Sequence, residues 1–153
     1  AVGVQVANPG KLVIDIAGEA SVLMTMQEMS TAVQYNLPIK IFILNNQYMG
    51  MVRQWQELLH EKNYSESYTA ALPDFVKLAE AYGCVGIQAK KPDELDEKIN
   101  EMISVNKPVI FDCLVDPMEN CFPMIPSGKP HNQMLLGPED EKEEVSDEGK
   151  TLV

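Results

Sequence analysis

Lys11-Leu12-Val13-Ile14-Asp15-Ile16-Ala17-Gly18-Glu19-Ala20-Ser21 decides the fold of this chain. Residues 11–16 form a short, nearly continuous apolar run, the pattern of a strand buried on both faces. The run breaks into small residues around Glu19. Leu23, Met24, Met26, Met29, Ala32 and Val33 then recur at helical spacing as far as Tyr35. Asn36 and Pro38 end that helix, and residues 39–44, rich in Ile, begin a second buried strand. Strand, helix and strand in this order predict a parallel pair joined by a crossover.

The same alternation continues. Asn45 to Gly50 reads as a polar loop, and Met51, Val52, Trp55, Leu58 and Leu59 mark one face of a helix. Residues 60–71 lack periodicity. Phe75, Leu78, Ala79 and Tyr82 predict a helix that stops at Gly83, a natural residue just past a helix end. Residues 85–88 form a short strand. Pro92, Asp93 and Glu94 open a helix whose apolar face is Leu95, Ile99, Met102 and Ile103. Residues 108–115 are the last strand. Beyond Asp116, Pro117, Pro123, Pro126 and Pro130 block long regular elements. The expected fold class is α/β, a parallel sheet with helices on both faces followed by an irregular arm over 116–137. The chain starts without Met, and residues 1–7 look like the end of a helix already under way, so it is read as part of a longer protein lacking the first elements of this domain.

Composition narrows the function classes. The 153 residues are 45% apolar and 23% charged, ordinary for a globular domain. The net charge is −11, of which residues 138–150 contribute −5, so 138–153 reads as an acidic, solvated tail. This balance argues against nucleic acid, whose phosphates need a basic face. No apolar run is long enough to cross a bilayer and no secretory signal is visible, so no membrane partner is expected and the expected location is cytoplasmic. Cys84, Cys113 and Cys121 are odd in number and share no CxxC spacing, which disfavours zinc and a disulfide framework.

Ligands of an open parallel sheet bind outside the carboxyl ends of its strands. Here the first strand ends in Gly18-Glu19-Ala20-Ser21 and the second in Asn45-Asn46. Small residues let a backbone approach a phosphate, and a helix start offers free N–H groups. Magnesium takes oxygen ligands at about 2.1 Å, usually one or two carboxylates with phosphates and water. Glu19 could supply the carboxylate and Asn46 an amide oxygen. Taken alone, a Gly and an acid after a strand are common, and Asn-Asn is more often a turn former.

The surrounding sequence is more specific. Gly18 stands 28 residues ahead of Asn46, resembling the Gly-Asp-Gly and Asn-Asn signature of thiamine diphosphate enzymes. Gln27-Glu28-Met29-Ser30-Thr31-Ala32, Asn45-Asn46-Gln47-Tyr48-Met49-Gly50-Met51-Val52-Arg53-Gln54-Trp55-Gln56 and Pro123-Met124-Ile125-Pro126-Ser127-Gly128 resemble the catalytic subunit of acetolactate synthase. The likeness covers residues 1–137, and would make them its C-terminal thiamine diphosphate-binding domain.

This resemblance implies Mg²⁺ held by Glu19, Asn46 and the backbone carbonyl of Tyr48. It implies a diphosphate cradled by Gly18, Ala20 and Ser21, with Met49, Gly50 and Met51 along the cofactor. Met51, Val52, Trp55 and Ser127 would border the substrate channel, although Met51, Val52 and Trp55 also suit a core-facing helix stripe. In such enzymes the cofactor supplies the chemistry that decarboxylates one 2-keto acid and joins the remainder to another. The resemblance further implies FAD and an activating glutamate in domains absent here, leaving no catalytic residue in this chain. It implies a homodimer or tetramer with a regulatory small subunit.

Two residues depart from the family pattern. Glu19 replaces an Asp, which would push the carboxylate outward by roughly 1.5 Å and weaken metal binding. Ala17 stands where the family carries an acid. The alternatives are another thiamine diphosphate-dependent 2-keto acid enzyme, or a non-catalytic domain of this fold.

Overall fold

The computed structural model describes residues 1–137, and the expected acidic tail over 138–153 lies outside them. In chain order the elements are α1 (Val2–Ala7), β1 (Ile14–Gly18), α2 (Glu19–Thr25), α3 (Glu28–Gln34), β2 (Lys40–Asn45), α4 (Gly50–Leu59), α5 (Phe75–Tyr82), β3 (Val85–Ala89), α6 (Leu95–Ser104) and β4 (Val109–Leu114). The chain separates into two compact units. Among the described residues, one comprises 1–48 and 69–117 and holds the sheet; the other comprises 49–68 and 118–137, with α4 and the arm. No helix of the described residues is long and apolar enough to cross a membrane.

The sheet of the first unit is wholly parallel, in the order β1-β2-β4-β3. One face carries Ile41, Ile43 and Ile110, which pack with Val22, Met29 and Phe75 from the helices. The other face carries Ile87, Val109 and Phe111, which pack with Met102, Leu95 and Ile99 of the α6 side. Phe42 and Phe111 stack there with ring centroids 4.6 Å apart. Each fully buried Ile or Phe side chain contributes about 1.5–3 kcal/mol of transfer free energy.

Two expectations are corrected. The first strand is not buried on both faces: Ile14 and Ile16 are exposed, 40% and 61%. β1 lies at the edge of the sheet, beyond the reach of the cluster built on β3, β4 and α6. The expected single helix up to Tyr35 is two, α2 and α3. At Met26 and Gln27 the ladder tightens, and Met29 and Ser30 donate to carbonyls three residues back, Met26 and Gln27.

The helix stop at Gly83 falls where the sequence predicts it. Gly83 adopts φ +83° and ends α5, with Cys84 N–H donating to the Ala79 carbonyl at 2.8 Å. Asp74 caps the start of the same helix by accepting from Lys77 N–H at 3.0 Å. Lys40 is buried, which lowers its pKa, and its ammonium donates to the carbonyls of Val105 and Lys107 just past α6. Cys84 is buried among apolar groups, and its thiol is pushed up to about 11, so it is unreactive near neutrality.

At Gly86, β3 lies close against α5. A Cβ there would lie 2.7 Å from Val76 Cα and 2.8 Å from its carbonyl oxygen, both backbone atoms that cannot rotate away. Gly86→Ala is expected to destabilise the fold by about 1–3 kcal/mol in urea denaturation. An unchanged midpoint would show that α5 is free to shift.

Candidate functional site

β1 and β2 are adjacent, parallel and paired Gly18 to Leu44, so their carboxyl ends lie side by side. The first ends at Gly18, which precedes α2 in extended conformation and supplies no side-chain cap. A Cβ at Gly18 would meet nothing nearer than Ser21 Oγ, 3.9 Å away, so the space before this backbone is open. A hollow of about 790 Å³ beside β1 is lined in part by Gly18, Ala17 and Ser21.

Glu19 begins α2 yet is 1% exposed. Burial pushes its carboxyl pKa upward, and the nearby Asp112 charge adds to this. Hydrogen bonds from its own backbone, the Thr69 hydroxyl and the Asn46 backbone oppose the rise. The Thr69 bond is long, 3.3 Å from Oγ1 to Glu19 Oε1. Glu19 at the end of β1 and Asn46 just past β2 are thus brought together.

The Asn-Asn turn is built from side-chain bonds to its own backbone. Asn45 Oδ1 accepts from Gln47 N–H at 3.2 Å, and Asn46 Oδ1 accepts from Tyr48 N–H at 3.1 Å. Gln47 takes φ +61°, a left-handed conformation, and its carbonyl accepts from Thr69 N–H at 2.9 Å. Thr69 therefore touches both the turn and Glu19, a role that a loop without periodicity did not advertise.

Glu19 and Asp112 are both buried carboxylates, and the ion pairs among the described residues, Arg53–Glu57, Lys77–Asp74 and Lys98–Glu101, involve neither. A buried anion without a cation costs several kcal/mol. The donors at these strand ends are a carboxylate, an amide oxygen and backbone carbonyls, a set suited to a hard divalent ion. No cluster of three or more His, Cys, Asp or Glu arranged for a metal occurs among the described residues, and a site of one carboxylate with amide and carbonyl oxygens does not need one.

In the second unit, Met51, Val52 and Trp55 line an apolar groove of about 500 Å³ with Gln56, His60 and Asn63. Met51 and Val52 are 52% and 45% exposed, so this stripe of α4 faces the groove and is not core. Ser127 is half-buried and is not among the groove's lining residues. Met49 precedes α4 and donates its N–H to the Ser67 carbonyl at 2.8 Å, and Gly50 is the first helical residue.

Besides Leu59, α4 buries Arg53 and Gln54, two polar residues that hydrophobic patterning does not single out. The Arg53 guanidinium pairs with Glu57 and donates to the carbonyls of Met118 and Glu119 and to Asn120 Oδ1. The Gln54 amide donates to the Cys121 carbonyl at 3.0 Å and accepts from Cys121 N–H at 2.7 Å. Arg53 and Gln54 stand beside Gln56 and Glu57 in the same helix, so residue type alone does not mark which of them are buried.

Residues 1–113 match the family described as thiamine pyrophosphate enzyme, C-terminal TPP binding domain, and the chain belongs to that family. It is similar to the acetolactate synthase large subunit of Cyanidium caldarium, 48% identical over 88% of this chain and 23% of that protein. The large subunit of Haemophilus influenzae is 45% identical over 93% of this chain and 25% of its own length. The mitochondrial catalytic subunit of Saccharomyces cerevisiae is 46% identical over 95% of this chain and 21% of its own. This chain thus spans about a quarter of the length of these relatives. Among solved structures, the thiamine diphosphate-dependent 4-hydroxybenzoylformate decarboxylase of Rhodococcus jostii superposes with TM-score 0.70 at 28% identity, covering 76% of this chain and 22% of that one.

Arg53→Met would leave the arm's carbonyls without their donor and Glu57 without its cation. We expect a loss of about 3 kcal/mol and faster hydrogen exchange at residues 118–121. Unaltered exchange there would mean the arm is held by other contacts.

Proposed function

We propose that the chain is the cofactor-binding part of an acetolactate synthase, which condenses pyruvate with a second pyruvate or with 2-ketobutyrate and releases CO₂, serving branched-chain amino-acid synthesis. The observation that carries the reading is the convergence of Glu19 and Asn46 at adjacent parallel strand ends, within a chain 45–48% identical to three such large or catalytic subunits. Thiamine diphosphate, when bound, supplies the nucleophilic carbon on which the keto-acid chemistry runs.

The chain's own part is to bind and orient. Glu19, Asn46 and the Tyr48 carbonyl hold Mg²⁺, and the backbone of Gly18, Ala20 and Ser21 faces the diphosphate. Met49, Gly50 and Met51 lie along the cofactor, while Met51, Val52, Trp55 and Ser127 border the substrate path. The activating glutamate and FAD belong to the remainder of the longer protein, as do assembly into a dimer or tetramer and pairing with a small regulatory subunit. The cytoplasm remains the proposed location, beside the mitochondrial address in the name of the yeast relative. The Rhodococcus neighbour supports the coarser alternative of another thiamine diphosphate-dependent 2-keto acid enzyme.

Titration calorimetry of the chain with thiamine diphosphate tests this. Binding is expected with Mg²⁺ and not with EDTA, absent in Glu19→Ala, and tighter in Glu19→Asp, whose shorter side chain restores the family's donor position. Metal-independent binding, or Glu19→Ala binding like the parent, would contradict the proposed site. Pyruvate incubated with the chain, thiamine diphosphate and Mg²⁺ should give no acetolactate, because the activating glutamate is supplied elsewhere.

A further inference from the structure

Asp112 is the fourth residue of β4, level with Ile43 on β2 and Gln88 on β3, and only 3% exposed. No step of the proposed function uses it, and an apolar residue would fill the same place at lower cost. Its carboxylate instead accepts two side-chain amides, Asn45 Nδ2 at 2.9 Å on one oxygen and Gln88 Nε2 at 2.7 Å on the other.

An amide side chain can present either its oxygen or its NH₂, but an ionised carboxylate can only accept. Asp112 therefore fixes which way Asn45 faces. The NH₂ points to Asp112, and the oxygen is left for Gln47 N–H at 3.2 Å. That bond supports Gln47 at φ +61°, a left-handed conformation that residues other than glycine rarely adopt. The next two donors of the proposed metal site, the Asn46 side chain and the Tyr48 carbonyl, hang from this turn.

We propose that Asp112 is a positioning residue, a buried anion that orients Asn45 and thereby sets the turn carrying Asn46 and Tyr48 for a divalent cation. This rests on the reading above and deepens it, because it names what gives the site its geometry. The positioning role of Asp112 runs through Asn45, while its charge also adds to the field at Glu19.

Asp112→Asn preserves shape but offers one accepting oxygen to two donors, so Asn45 is free to turn over. In the ligand-free chain, amide exchange at Gln47 and Tyr48 is expected to accelerate about tenfold, with Ile41 and Ile110 unchanged. With thiamine diphosphate present, Mg²⁺ affinity should fall about tenfold, the scale seen when a ligand's supporting partner is lost. Ca²⁺ affinity should fall much less, because Ca²⁺ accepts longer and less regular coordination. A residue that merely stabilised the fold would weaken both ions alike.

Unchanged exchange at Gln47 and Tyr48, or equal weakening of both ions, overturns the proposal. If the parent chain takes up neither ion with thiamine diphosphate, the functional reading falls, and the exchange measurement alone decides the role of Asp112. If Asp112→Asn does not fold, Gln88→Met serves in its place. Releasing one side of the carboxylate should then speed exchange at Gln47 and Tyr48, and no change there overturns the proposal.

Discussion

Parallel pairing of β1 with β2 is the constraint from which the candidate site follows. In a parallel pair, both chains leave the sheet on the same side, and helices or turns must begin there. With Gly18 level with Leu44, the start of α2 and the Asn45-Asn46 turn are placed side by side. One strand supplies a buried carboxylate and an open glycine backbone; the other supplies amide oxygens. Neither segment could form the site alone.

That arrangement is electrostatically incomplete as a protein structure. Glu19 and Asp112 are buried acids, and the bonds they receive come from a hydroxyl, amides and backbone N–H groups. Such donors reduce the cost of burial but do not cancel the charge. A divalent cation at the strand ends would. The turn over residues 45–48 is held by hydrogen bonds at Asn45, Asn46 and Gln47 and includes a left-handed residue, so its donors are set before any ligand arrives. Preorganisation of this kind matters most for Mg²⁺, which tolerates little departure from octahedral geometry.

What the sequence reveals depends on whether the determining contact is local. The alternation of strand and helix, the stop at Gly83 and the two strand-end motifs are written in neighbouring residues and are legible. Exposure of Ile14 and Ile16 depends on where β1 falls in the strand order, which periodicity does not encode. The burial of Arg53 in α4 depends on carbonyls of Met118 and Glu119, more than 60 residues away in the chain. The bonds of Asp112 come from Asn45 and Gln88 on the two neighbouring strands, far from it in the chain.

A metal seated between the ends of β1 and β2 is what the candidate site requires. Mn²⁺ shares the preference of Mg²⁺ for oxygen ligands and broadens the NMR signals of nearby amides. In a ¹⁵N-labelled chain titrated with Mn²⁺ and thiamine diphosphate, the amides of Glu19, Ala20, Asn46 and Tyr48 should vanish first. Broadening centred instead on the acids at the start of α6, or spread evenly over the chain, would contradict that placement.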